Sequence, residues 1–215
     1  MHVALIVFLV LIGIPIVWLF LVLTLGRLIR RIYPFPIPHF VTGLIDNPIR
    51  RKYIQNPEDI SEKMGVKSGD VILEVGPGKG SYTLAVANKI LPKGKVYAID
   101  IQQPVLDKLS RRLDEEGITN IVPKLDDTYN LSFEDEFFDA IFTIACLPEI
   151  PRPVEVLKEF KRVLKPSGTI TLCELFIDPD YPLRKTEKKW AKEAGLVLKN
   201  EYGNWFVYQL NFTKE

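Results

Sequence analysis

The chain has 215 residues, enough for one domain and an appendage. Its 28 basic and 27 acidic residues nearly cancel, which argues against the strongly basic profile of a general nucleic-acid binder. Two cysteines, Cys146 and Cys173, make no disulfide framework and fit a reducing compartment, and no Cys/His spacing suggests a metal site.

The first element in chain order is an uncharged apolar run from Val3 to Leu25. It meets the requirement of about 20 residues for a helix that crosses a bilayer, and Pro15 is tolerated as a kink there. A cleaved signal peptide fits less well, since no basic residue precedes the run and no small-x-small site follows it. Residues 1–26 are therefore expected to form a transmembrane anchor. Arg27, Arg30 and Arg31 follow at once, which predicts a single-pass membrane protein with its domain on the cytoplasmic side. Residues 27–56 alternate arginines with Tyr33, Phe35, Ile37 and Phe40, and prolines at 34, 36 and 38 favour extended backbone. This stretch reads either as a linker packed on the domain or as an interfacial collar among lipid headgroups.

From residue 57 to the C-terminus strand and helix patterns alternate. Asn56-Pro57 predicts a capped helix to Met64. Strands are expected at 71–75, 95–100, 121–125, 138–144 and 169–176, and helices at 81–91, 104–116, 154–164 and 187–194. Two last strands, at about 196–202 and 205–212, flank the hairpin signal Gly203-Asn204. The expected fold is α/β: a Rossmann-like, mostly parallel seven-stranded sheet ending in an antiparallel hairpin, preceded by one transmembrane helix.

The stretch VILEVGPGKGSYTLAVANKIL, residues 71–91, carries the chemistry. Glycines after a strand let backbone approach a ligand, and the helix that follows offers unpaired N–H groups to an anionic group. The dinucleotide pattern G-x-G-x-x-G started at Gly76 would need glycine at 81, where Ser81 stands. The sequence instead reads E-x-G-x-G-x-G, Glu74 through Gly76 and Gly78 to Gly80. Asp100 closes the next strand about 20 residues on, where a carboxylate can accept from both hydroxyls of a ribose.

These blocks resemble the class I S-adenosylmethionine-dependent methyltransferases from about Gly69 to the C-terminus. The glycine motif and Asp100 match, KLDDTYNLSFEDEFFDAIFTIACLPEI is similar to the family's adenine-binding segment, and EFKRVLKPSGTITLCE to its helix, turn and fifth strand. The resemblance implies S-adenosyl-L-methionine as cofactor, held by Glu74, Gly76, Gly78, Gly80, Asp100, Ile101, Thr128 and Ala145. It places the adenine acid at Asp127, with Asp126 the one-residue alternative. Asp126 and Ser132 depart from the family's usual glycine and proline. Cys146 is expected to be a small pocket residue and not a nucleophile.

Methyl transfer needs alignment and dryness more than protein chemistry. A hydroxyl acceptor would also need a base within about 3 Å. Glu149, just past the fourth expected strand, is the first candidate, followed by His39, Tyr129 and Asp178. The signature [DN]-P-P-[YF] is absent, ACLPEI standing in its place, which speaks against nucleic-acid or release-factor substrates. The expected acceptor is a small lipophilic or membrane-associated compound: a lipid, a quinone-type molecule or a thiol. A membrane-anchored adaptor that binds the cofactor without catalysis is the alternative, and a dinucleotide-dependent oxidoreductase is disfavoured by Ser81.

Overall fold

The computed structural model describes residues 46–214, together with short helical pieces at 13–15, 17–18, 24–25 and 28. Among the described residues no helix is long and apolar enough to cross a membrane. The anchor expected over 1–26 and the collar as far as residue 45 lie, apart from those pieces, outside the described residues.

The described domain opens with a π-helical turn, Arg50–Ile54, and then helix α1, Pro57–Met64. Asn56 caps α1 as its sequence suggests: its side chain accepts from the Asp59 N–H at 3.0 Å, Pro57 fills the first position, and Gly65 ends the helix at φ 75°. Strand β1 is Val71–Val75, α2 Ser81–Lys89, β2 Lys95–Asp100, α3 Gln103–Glu116 and β3 Ile121–Leu125. Then follow β4 Phe138–Ile144, α4 Pro153–Val163, β5 Leu164–Leu175, α5 Arg184–Glu193, β6 Leu196–Gly203 and β7 Val207–Lys214.

The seven strands are ordered β3-β2-β1-β4-β5-β7-β6. The four pairings from β3 to β5 are parallel, and β7 runs antiparallel to both β5 and β6. Side chains alternate across the sheet. Leu73, Val75, Phe138, Ile141 and Leu172 pack with α4 residues such as Leu157 and Phe160 on one face. Ile72, Val96, Ala98 and Phe142 meet Val86 of α2 and Leu109 of α3 on the other. Both faces being covered explains why the strands read as nearly continuous apolar runs. Glu74 breaks that run, on the side of α2, with only 1% of its surface exposed.

The helix expected at 187–194 begins at Arg184 and the last strand is shifted to Val207–Lys214, and two larger features differ from the sequence pattern. β5 begins at Leu164 and not at 169: KPSG is absorbed as an irregularity opposite Phe138–Ala140, with Leu164 still paired to Phe138. Asp139 makes room for it, accepting from Lys165 Nζ at 2.7 Å and from the Val71 N–H at 2.9 Å. The second feature is Arg50, read from sequence as one of a row of linker arginines. It is buried, with Nε donating to Gln55 Oε1 at 2.7 Å and both Nη groups donating to the Asp178 carboxylate at 3.1 and 3.3 Å. The segment from residue 46 is thereby built into the domain.

A buried bidentate pair is costly to break, because the remaining charge has no water. Asp178→Ala is expected to lower stability by about 3–5 kcal/mol, read as a drop in the denaturant midpoint. A loss under about 1 kcal/mol, the range of exposed pairs, would mean that Arg50 does not hold the segment down.

Candidate active site

The strand order reverses between β1 and β4: the chain steps outward to β2 and β3, then returns to β1's other side. A crevice opens at the carboxyl ends of strands at such a reversal. Here it holds a cavity of about 320 Å³, whose walls include Gly76 and Gly78 after β1, Asp100 at the end of β2, Asp127 after β3, and Ala145 and Glu149 after β4. That size falls in the range of small-ligand sites.

The glycines are there for backbone reasons. Gly76, Gly78 and Gly80 have φ of 74°, 55° and 81°, a region side chains rarely occupy. At Gly76 a Cβ would also lie 2.5 Å from Cys146 Sγ, so the ends of β1 and β4 touch only because it is missing. A Cβ on Gly80 would meet Leu109 Cδ1 at 2.5 Å, where α2 starts against α3. Ser81 has a use of its own. Its hydroxyl donates to Asp46 Oδ2 and accepts from Arg51 Nη1, both at 2.6 Å, which draws residues 46–51 over the start of α2. Asp46 and Arg50 line the cavity as a result. Sequence reasoning missed both, and also Tyr82: their partners are remote in sequence, and no local pattern announces them.

The carboxyls divide by environment. Burial pushes Glu74 up to about 8, with the Thr83 hydroxyl partly opposing it, and Glu74 Oε2 has no hydrogen-bond partner. Burial also raises Asp100, against hydrogen bonds from the backbone N–H groups of Gln102 and Ile101; the Gln102 bond to Oδ1 is 2.8 Å. Ile101 is exposed beside it, and Thr128 is a buried residue of the cavity wall. Of the two acids after β3, Asp126 is committed to its own turn. It accepts from Lys124 Nζ at 3.0 Å and Ser132 Oγ at 2.6 Å, bonds that outweigh burial and hold it below the usual carboxylate range. Ser132 and Asp126, the two departures seen in the sequence, are thus partners of each other. Asp127 is exposed at the cavity, with Oδ1 accepting from the Tyr129 N–H at 3.0 Å.

After β4 the backbone is strained. Ala145 has φ 52° and donates its N–H to the Cys173 carbonyl at 2.8 Å, turning the chain into the short 3-10 turn Leu147–Glu149. Burial pushes the Cys146 thiol well up, and the Glu149 and Asp100 charges add to it, which favours the thiol over the thiolate. Among the candidate bases, Asp178 is engaged with Arg50. The Tyr129 hydroxyl donates to the Pro151 carbonyl, under the Arg152 guanidinium 4.5 Å from its ring. His39 lies outside the described residues. Glu149, half-buried in the cavity wall, is the acid placed at the end of β4.

A nucleotide-bearing cofactor fits these walls on the structure's own terms: an open glycine cradle, a carboxylate at the end of β2, and an orphaned carboxyl oxygen at the end of β1. The methyltransferase domain family matches residues 66–209. The chain belongs to that family.

The chain is 32% identical over 123 residues to a demethylmenaquinone methyltransferase of Geobacillus stearothermophilus, a match covering 57% of this chain and 52% of that protein. It is 36% identical over 128 residues to an uncharacterized methyltransferase of Schizosaccharomyces pombe, covering 56% of this chain and 46% of that one. The chain therefore spans about half the length of these curated relatives. In fold it is similar to a SAM-dependent methyltransferase from Aquifex aeolicus, with a TM-score of 0.76 and 22% identity over 82% of this chain and 98% of that one. Family and fold imply S-adenosyl-L-methionine as the cofactor and support a SAM-dependent methyltransferase.

The buried Glu74 gives a pH test. With a folded value near 8 against an ordinary 4.5, its favourable neutral form is fully present below pH 4.5 and is lost as pH rises through 8. Glu74→Gln cannot lose it. The melting temperature of the variant relative to the native chain, without cofactor, should therefore climb between pH 5 and pH 8. A difference that stays flat would place the Glu74 titration elsewhere.

Proposed function

We propose that the chain methylates a small lipophilic acceptor of quinone type, using S-adenosyl-L-methionine and drawing the acceptor from a membrane. The observation that carries the reading is the cavity itself. One end is walled by the glycine cradle and Asp100, and Glu149 stands where β4 ends. Residues 46–51, which close over the start of α2, continue back toward the uncharged run 3–25. The names of the relatives in Geobacillus favour a quinone-type acceptor. The uncharged run favours an acceptor held in a bilayer, with the domain on the side of Arg27, Arg30 and Arg31.

When bound, the cofactor supplies a methyl group on sulfonium sulfur, an electrophile that needs little further activation. The chain's own residues do the rest. Asp100 would accept from the ribose hydroxyls and Asp127 from the adenine amino group. The backbone at Gly76–Gly80 approaches closely where no side chain intervenes. The Asp46–Ser81–Arg51 group holds the N-terminal segment over the site and keeps water out. Glu149 would hold the proton that a hydroxylated acceptor gives up in exchange for the methyl group the cofactor would supply.

The test is to incubate full-length protein in nanodiscs with methyl-labelled cofactor and a total membrane extract, then partition the label. Label in the lipid fraction is expected, with kcat in Glu149→Gln lower by about 10² and the cofactor KM unchanged. Label confined to protein would contradict the lipophilic acceptor, and an unchanged kcat would remove Glu149 as base.

A further inference from the structure

The sheet's carboxyl edge carries a second feature that the cavity does not use. β7 pairs antiparallel with β5, Val207 opposite Leu175, so the turn between β6 and β7 stands at the edge where the cavity opens. The turn is firmly built. Asn204 Oδ1 accepts from the Phe206 and Val207 N–H groups at 2.8 and 3.2 Å, and the Asn204 N–H donates to the Val207 carbonyl at 2.7 Å. Gly203 has φ 86°, and a Cβ there would lie 2.2 Å from the Val207 carbonyl oxygen. This frame holds Trp205 outward, 71% exposed.

Trp205 does not stand alone. Its ring packs edge-on against Phe176, centroids 5.3 Å apart, and Phe176 packs against Tyr181 at 5.5 Å, while the Tyr181 hydroxyl donates to the Trp205 carbonyl at 2.6 Å. Ile177 beside Phe176 is 54% exposed and Leu183 56%. Asp178 follows Ile177 and grips Arg50, whose neighbours Ile49 and Tyr53 are 67% and 73% exposed. Apolar and aromatic side chains therefore flank the Arg50–Asp178 pair, whose arginine lines the cavity. A monomeric surface rarely keeps such a patch without a partner.

We propose that this rim is a membrane-contact surface, with Trp205 and its aromatic neighbours seated among lipid headgroups so that the cavity mouth meets the bilayer. The proposal rests on the reading of residues 3–25 as a bilayer segment. Three observations choose lipid over another occupant. The chain preceding the described domain ends at residue 45, four residues before Ile49, so the apolar run 3–25 is joined in sequence to this rim. The described large apolar side chains of that run, Ile14, Val17, Trp18 and Leu25, are 58–65% exposed. The charge also suits anionic headgroups: Lys52, next to Tyr53, and Lys185, two residues past Leu183, are exposed, and Glu201 is paired with Arg184 and Lys188. Tryptophan and tyrosine beside basic residues are the composition of an interface belt.

The test uses full-length chain in vesicles of phosphatidylcholine and phosphatidylglycerol, comparing Trp18→Phe with Trp18→Phe/Trp205→Phe. The chain has three tryptophans, and Trp190, common to both variants, cancels in the difference. The Trp205 signal is expected to fall about twofold when lipids brominated near the headgroup replace ordinary ones, and to resist iodide, as an interface-seated indole does. A Trp205 signal open to iodide and indifferent to bromine would overturn the proposal. So would a signal shielded from both, which would mean that protein covers the rim, either residues 29–45 or a second copy. Protein that does not float with the vesicles at all would instead overturn the bilayer reading of residues 3–25, and this inference with it.

Discussion

The contact on which the site depends is the one between Gly76 and Cys146. β1 and β4 are adjacent and parallel, yet the chain must leave them in different directions: into α2 from one and into the 3-10 turn Leu147–Glu149 from the other. The two exits pass so closely that a single methyl group on Gly76 would overlap the Cys146 sulfur. Close passage here, and divergence beyond it, is what leaves a cavity between the glycine loop and Glu149. The left-handed backbone at Gly76 and the strained Ala145 are its two conformational costs, and the packed sheet on both sides holds them in place.

Around that crevice the polar groups are sorted by what water can reach. Glu74 faces apolar neighbours on the α2 side of the sheet and keeps its proton near neutrality, while Asp126, with a lysine and a serine to hold it, does not. A second pair of acids, Glu174 and Glu187, is buried behind Arg50, and burial pushes both upward, Glu187 to about 8. With Arg50 and Asp178 close by, they form a polar seam under the N-terminal segment. The segment's grip on the domain is thus electrostatic at Arg50 and hydrogen-bonded at Ser81, and both contacts sit at the cavity's rim.

Much of this was legible in the sequence, and the reasons differ by element. The strands at 71–75, 95–100, 121–125 and 138–144 appear where expected, because a sheet covered on both faces leaves continuous apolar runs. The cap at Asn56-Pro57 and the glycine loop are local chemistry, fixed by residues within one turn of each other. What the sequence withheld depends on distant partners. Arg50 reads as one basic residue among several until Asp178, 128 positions away, is brought beside it. Leu164 reads as the end of a helix, and only Phe138 across the sheet makes it the start of a strand. Asp126 and Asp127 both line the cavity, and only Lys124 and Ser132 closing on the first leave the second without a cation or hydroxyl partner of its own turn to hold it.

The central claim is that this crevice binds S-adenosylmethionine with Asp100 as the ribose acid. It is tested most directly by calorimetric titration of S-adenosylhomocysteine into full-length protein and into Asp100→Asn. The account predicts saturable one-site binding to the native chain, weakened about 10- to 100-fold by the substitution, the worth of hydrogen bonds to a charged carboxylate. No binding to the native chain, or equal affinity in both proteins, would contradict it.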